Sequence, residues 1–430
     1  LTHLFYNRHY KSLYENNPDS LFCITIPIKD AFGKLHGTKE GKDMRNRWLV
    51  LVIILSIFLA PVQPAHAEDG KAGEPYPGAA LCLPDAYLNE PGDCLPLGPS
   101  QTLTDLAKKG LTFPPRPLPA VTPPRELTTS PVMVAKINIE ATESAQIYAS
   151  LDDAASGNNP VRQIAPGTGL RYVSYVQVSR VNGKPFVQLK TGEWMRASPA
   201  GYSYFQGLAF QKTPANAFGW MVDHARARSA PSWNAPEVGE TLLRETVIQI
   251  YDIVEAEGME WYLIGPDQWM PWQDARRVRV DTTPPKGVNG NRWIIVDLYD
   301  QTLSVYDNRQ LVFATLVASG GEPFYTRPGL FNIYKKKPLE TMSGAFESGK
   351  TDYYYLEDVP WTMYFDQARA LHGAYWRAWY GFPGTHGCVN LSIGDAAWLF
   401  QWANEGDPVY VWDPSGKTPT DPALYTEGGA

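Results

Sequence analysis

Along the C-terminal third of the chain, apolar and polar positions alternate in short bursts that predict a β-meander. Trp293–Leu298 and Thr302–Tyr306 are rich in β-branched and aromatic residues, Asp307-Asn308 supplies turn chemistry, and Leu311–Val317 follows as a third strand. Farther on, Ala396, Ala397, Leu399 and Phe400 predict a short amphipathic helix over Ile393–Ala403, and Pro408–Trp412 a closing strand. Between Val132 and Val280 short β-rich runs recur with a period of 75 residues. Gly183 matches Gly258, Phe186 matches Trp261, Leu189 matches Ile264, and Trp194-Met195 matches Trp269-Met270 without a gap. Each copy predicts one strand (Tyr172–Ser179; Val247–Val254), a glycine turn (Asn182-Gly183; Glu257-Gly258) and a second strand (Pro185–Lys190; Glu260–Ile264).

The pattern of the two copies resembles bacterial SH3-like domains, small five-stranded barrels that often accompany cell-wall enzymes. Trp194 and Trp269 are expected as core or barrel-closing aromatics in preference to ligand-stacking ones. Between Glu68 and Pro131 the chain is rich in Pro and Gly, with Pro114-Pro115-Arg116-Pro117-Leu118-Pro119, and reads as an extended spacer or a loop-rich, disulfide-stapled mini-domain. Upstream, Met44-Arg45-Asn46-Arg47, the apolar run Trp48 to Ala60 and Ala65-His66-Ala67 have the three parts of a secretory signal. The run falls below the ~18 residues wanted for a membrane span. Seven segments follow: 1–43, an extension read as a mis-set start; 44–67, a signal peptide; 68–131, the spacer; 132–210 and 211–285, the two SH3-like modules; 291–413, a third domain; and 414–430, a flexible tail. The fold class expected is mainly β, and the protein is expected to be exported to the cell wall or envelope.

With 430 residues, 44% hydrophobic and 13% aromatic, the chain has material for several cores. A formal charge of −7 argues against nucleic acid as a partner. Cys82 and Cys94 are close enough to close a small loop in an oxidising compartment and are expected to pair, which leaves Cys388 an unpaired thiol.

Around that thiol lies the densest chemistry of the chain. Thr385-His386-Gly387-Cys388-Val389-Asn390 follows His372-Gly373, and after Ala67 only His224 lies outside this region among the histidines. A thiol attacks as its thiolate and needs a base, which an imidazole supplies. A glycine turn can also aim successive backbone N–H groups at a developing oxyanion. Zinc is disfavoured, because no Cys-x-x-Cys or His-Glu-x-x-His is present and Cys388 and His386 are only two apart. No metal, nucleotide or flavin is implied.

Thr385 to Asn390 with upstream His372 resembles the signature of the L,D-transpeptidase (YkuD-type) catalytic domain. The similarity extends over roughly 291–413 through Val296-Asp297-Leu298, Gln301-Thr302-Leu303, Ser319-Gly320 and Arg327-Pro328-Gly329-Leu330-Phe331. The resemblance implies a β-rich domain with mixed sheets and a short helix. It implies Cys388 as nucleophile, His372 as proton donor and acceptor, and Gly373 as the carbonyl that orients His372. His386 and Gly387 would frame the oxyanion site with the Cys388 amide, and Asn390 would brace the turn near substrate. Met363 and Tyr364, in the strand that resembles the family's cleft wall, are substrate contacts or core residues. Trp376, in an aromatic stretch with Tyr375, Trp379, Tyr380 and Phe382, packs the lid or grips the stem peptide. Lys335-Lys336-Lys337 reads as a solvated face. The implied partner is a peptidoglycan stem peptide, with a carbapenem β-lactam as covalent inhibitor. The alternatives are a cysteine peptidase or carboxypeptidase that trims wall peptides, and a non-catalytic wall-binding protein. The peptidase order, Cys before His, is the reverse of the order here.

Overall fold

A computed structural model describes residues 118–425, apart from 122, 123, 168, 215, 347, 348 and 351. The extension 1–43, the signal peptide 44–67, the Cys82–Cys94 pair and most of the spacer lie outside the described residues.

The meander forms as the sequence predicts, as strands Trp293–Asp297, Thr302–Asp307 and Gln310–Leu316, antiparallel with Trp293 opposite Tyr306. Its second turn places Asn308 and Arg309 at φ of 50° and 60°, the left-handed pair that a tight hairpin needs. Pro408–Trp412 runs parallel to Trp293–Asp297, and Gly329–Asn332 closes that edge. The opposite edge is covered from outside the expected third domain, by Leu208–Phe210 and then Ala120–Val121. Among the described residues this is a seven-stranded sheet.

A second sheet carries the thiol. Val389–Leu391 lies parallel to Arg369–Gly373, which is antiparallel to the long strand Tyr354–Asp366. That strand then pairs in parallel with Arg171–Tyr175 of the first repeat copy, Tyr355 opposite Arg171 and Leu356 opposite Tyr172. The helix Ile393–Trp402 packs between the sheets, in a core that includes Val296, Phe313, Leu371, Val389, Leu399 and Val409. Ser392 caps it by accepting from the Asp395 N–H at 3.2 Å and also donates to the Tyr204 carbonyl. At its other end Lys336, expected in solvent, donates to the Phe400 and Ala403 carbonyls, which the C-terminal end of a helix leaves unpaired.

The two repeat copies have the same strand order. The first has a five-stranded sheet in the order 160–164, 145–148, 194–196, 184–188, 177–181, and the second 237–242, 225–228, 268–271, 259–265, 252–256. Each adds a second, antiparallel set built on Met133–Lys136 or Ala217–Met221. The single strands expected at Tyr172–Ser179 and Val247–Val254 each divide in two, around Val176 and Tyr251, because the halves belong to different sheets. The hairpin turns match the glycine reading, with Asn182-Gly183 at φ 52° and 76° and Glu257-Gly258 at 51° and 81°. Trp194 is buried against Tyr148 and Phe186, while Trp269 is half-buried.

Two segments expected to be loose are packed. The turn Arg125–Thr128 buries Leu127 and approaches the Ile393–Trp402 helix so closely that a Cβ at Gly394 would meet the Leu127 carbonyl at 2.8 Å. The tail folds back through Pro422–Tyr425 and buries Tyr425. No helix of the described residues is long and apolar enough to cross a membrane.

Candidate active site

The strand register builds the centre of the site. His372 lies opposite Asn390 on neighbouring parallel strands. Side chains alternate along a strand with period two, so Cys388, two residues before Asn390, faces the same side as His372. Both are buried, at 5% and 2% exposure. His372 Nδ1 lies 3.1 Å from the Gly373 carbonyl. That contact fixes the tautomer with Nδ1 as donor and leaves Nε2 as the basic nitrogen. The space over Gly373 is tight, since a Cβ there would lie 3.0 Å from Ile393 Cδ1 and 3.2 Å from Pro360 Cγ, and both side chains would have to give by a few tenths of an ångström.

Neither group is charged at rest. Burial pushes the Cys388 thiol up to about 11, against which the Ala370 N–H and the Arg369 charge pull in the opposite direction. Burial lowers His372 to about 4, against the Gly373 contact that favours the charged form. An attacking thiolate is therefore not preformed, and the base must take the proton as the thiol attacks.

The turn before Cys388 is tightly held. Thr385 Oγ1 donates to the Cys388 carbonyl at 2.5 Å and accepts the Gly387 N–H at 3.1 Å. The Gly387 amide, expected at the oxyanion site, is thus already engaged. Its φ of 114° suits glycine, and Thr326 Oγ1 links its carbonyl to the Gly320 N–H. Gly320 must also be glycine, because a Cβ would lie 2.3 Å from the Phe324 carbonyl and 2.7 Å from Gly387 Cα.

His386 is stacked on Phe346 and Tyr354, with ring centroids 4.7 and 5.7 Å away, and edge-on to Phe324. Burial lowers its pKa. Trp376 stands 5.7 Å from the His372 ring. Tyr364 is half-buried beside Tyr334, and the charge of a Cys388 thiolate would raise the pKa of both Tyr364 and Tyr354, mainly raised by burial.

Of the residues expected near substrate, Met363 and Asn390 are buried. Met363 is fully buried with Leu371 and Phe365, because the alternation of its strand turns it into the core. Asn390 is 3% exposed, and its backbone N–H and carbonyl pair with Ala318, which ties the end of the turn to the neighbouring sheet. Sequence reasoning missed Thr326, Tyr354 and Arg369. For Arg369 the one signal was a charge inside the otherwise apolar run Ala368-Arg369-Ala370-Leu371. Among the described residues no group of three or more His, Cys, Asp or Glu could hold a metal ion.

Residues 291–411 match the family model of the YkuD L,D-transpeptidase catalytic domain. Similar solved structures include an L,D-transpeptidase from Stackebrandtia nassauensis, at 26% identity over 31% of this chain and 59% of that one, with a TM-score of 0.24. Another is the L,D-transpeptidase from Mycobacterium smegmatis, at 22% identity over 37% of this chain and 76% of that one, with a TM-score of 0.27. The catalytic domain of the E. faecium L,D-transpeptidase is 26% identical over 29% of this chain and 100% of that one, with a TM-score of 0.26. No curated protein matches the chain. On the family match, residues 291–411 of this mainly β protein are an L,D-transpeptidase catalytic domain of the YkuD family.

Proposed function

We propose that this protein is a cysteine-dependent L,D-transpeptidase of peptidoglycan. Cys388 Sγ attacks the carbonyl of the third, diamino-acid residue of a tetrapeptide stem. The thiol proton passes to His372 Nε2 during attack, the bond to the terminal D-Ala breaks, and His372 returns the proton to the leaving amine. An acceptor amine then attacks the thioester, passes its proton to His372 and frees the thiol. A side-chain amine of a second stem gives a 3→3 cross-link, and water gives a carboxypeptidase. With the Gly387 N–H engaged, the Cys388 amide is the oxyanion donor of this turn.

The observation that carries the reading is the placement of Cys388 and His372 on one face of paired strands, with the Gly373 carbonyl setting the tautomer. Two similar structures are described as an E. faecium catalytic domain acylated by ertapenem and a carbamoyl enzyme formed with avibactam. A carbapenem is accordingly the covalent probe for Cys388. The reading places the protein outside the cytoplasmic membrane, with residues 44–67 as its export signal and the two repeat copies as SH3-like modules that associate with the wall.

Intact mass spectrometry after incubation with a carbapenem, and separately with disaccharide-tetrapeptide, tests it. The wild type is expected to gain one adduct and to form cross-linked dimer, and Cys388→Ala to do neither. Tripeptide without dimer would make the protein a carboxypeptidase. Absence of both adduct and product would remove the enzymatic reading.

A further inference from the structure

Arg369 is fully buried in the strand that carries His372, yet no step above uses it. Strand alternation turns its side chain to the face opposite His372, beside the turn that presents Cys388. A Cβ on Gly387 would sit 3.0 Å from Arg369 Nε. The guanidinium donates to the Tyr325 carbonyl at 3.3 Å, and to the Tyr425 carbonyl at 3.2 and 3.3 Å. Asp366, itself buried, is its carboxylate partner at 3.4 Å. That carboxylate is shared: Arg327 holds both of its oxygens, Nε at 3.0 Å from Oδ2 and Nη2 on Oδ1. Two guanidinium groups thus share the Asp366 carboxylate beneath the Cys388 turn.

Among the described residues, the other titratable groups around the thiol come from several elements. The turn itself offers His386, which Asp352 influences, and the neighbouring strand offers His372; burial favours the neutral form of both. From Tyr354–Asp366 come Tyr354 and Tyr364, whose phenols are held neutral by burial, and Asp366. Arg327 arrives from the preceding segment, and the tail contributes the Tyr425 carbonyl. Arg377, in the segment after His372, acts on that imidazole.

We propose that Arg369 is a positioning residue that stabilises the Cys388 thiolate through the back of its strand, with Asp366 and Arg327 setting how much positive charge is left to do so. A neutral imidazole takes the proton but gives the sulfur no counter-charge before transfer, so a permanent cation fixed behind the turn supplies the missing field. The C-terminal segment takes part, since its Tyr425 carbonyl takes two of the guanidinium bonds. The inference rests on the nucleophile assignment above but is tested without any wall substrate.

The test is the pH dependence of Cys388 alkylation by iodoacetamide in the full chain, read on the Cys388 peptide by mass spectrometry with folding checked by thermal melting. The thiolate displaces iodide, so the midpoint reports the thiol. Arg369→Gln is expected to raise the midpoint by about one pH unit, Arg369→Lys to return most of that shift, and Asp366→Asn to lower the midpoint. Arg327→Gln, at a more exposed side chain, is expected to raise it in a fold that tolerates the change. Loss of packing alone has no reason to move the midpoint in opposite directions for Arg369→Gln and Asp366→Asn. An unmoved or lowered midpoint in Arg369→Gln overturns the proposal, as does an unmoved midpoint in Arg327→Gln if Arg369→Gln does not fold. Cys388 peptide that alkylates as proposed in a chain forming no wall product would fail the transpeptidase reading and leave this one standing.

Discussion

At neutral pH the His372 imidazole is uncharged because burial lowers it from 6.5 to about 4, and this depression ties folding to pH. Between those two values the unfolded chain binds a proton at His372 that the folded chain does not. Stability is therefore intact above pH 6.5 and falls as the pH drops toward 4, by about 3 kcal/mol over the window for this one group. Buried carboxyls such as Asp297, raised to about 7, and Asp395, raised to about 6, act with the opposite sign, so the test must be a difference. His372→Gln should remove close to one proton from the pH slope of urea unfolding in that window. An identical slope in the variant would show that the imidazole titrates normally in the folded protein. The same burial makes proton transfer part of the attack, since thiol and imidazole stay neutral from about pH 4 to about 11.

The elements around these residues explain what was legible in the sequence. The meander, the helix and the Thr385–Asn390 turn are each written in a few consecutive residues, with periodicity or a glycine at the place the backbone requires it. Arg369 was not legible, because its surroundings come from Tyr325, Asp366, Gly387 and Tyr425, and no local pattern gathers them. For Met363 the sequence left substrate contact and core both open, and the strand register decides for the core, since alternation sends its side chain inward. The helix adds a prediction of its own. Ser392→Ala removes the N-cap and the tie to the Tyr204 carbonyl together, and should cost about 1–2 kcal/mol in thermal or urea unfolding. A second concerns the segment between His372 and Cys388. The second repeat copy grips it: Arg276 Nε donates to the Gly381 carbonyl at 2.9 Å, with the guanidinium 4.2 Å from the Trp272 ring and 5.0 Å from that of Phe382, and Arg244 stands 4.1 Å over Trp379. Arg276→Ala is expected to lower kcat/KM for tetrapeptide about tenfold, while Arg244→Ala, which loses a contact at an exposed ring, changes it less than threefold. Equal effects of the two would mean that the grip on this segment does not position the site.

In the whole molecule the repeat copies and the catalytic domain share sheets. Arg171–Tyr175 continues the sheet of Cys388 and His372, Leu208–Phe210 continues the meander, and the linker between the copies is clamped where the Gln206 and Gly207 N–H groups meet buried Asp395. Around Asp300 the second copy adds a further contact: Arg279 Nε reaches it at 2.9 Å, and Trp272 Nε1 donates to it at 3.2 Å. A cut between 285 and 291, where the sequence divides, would leave two unpaired strand edges and remove Arg279 and Trp272 from Asp300. Unpaired edges template association. Residues 287–425 produced alone should therefore melt well below residues 118–425 and elute as aggregate in size-exclusion chromatography. A fragment that is monomeric and melts with the longer chain would mean that the shared strands contribute nothing to the catalytic domain, and that the two copies are separable modules after all.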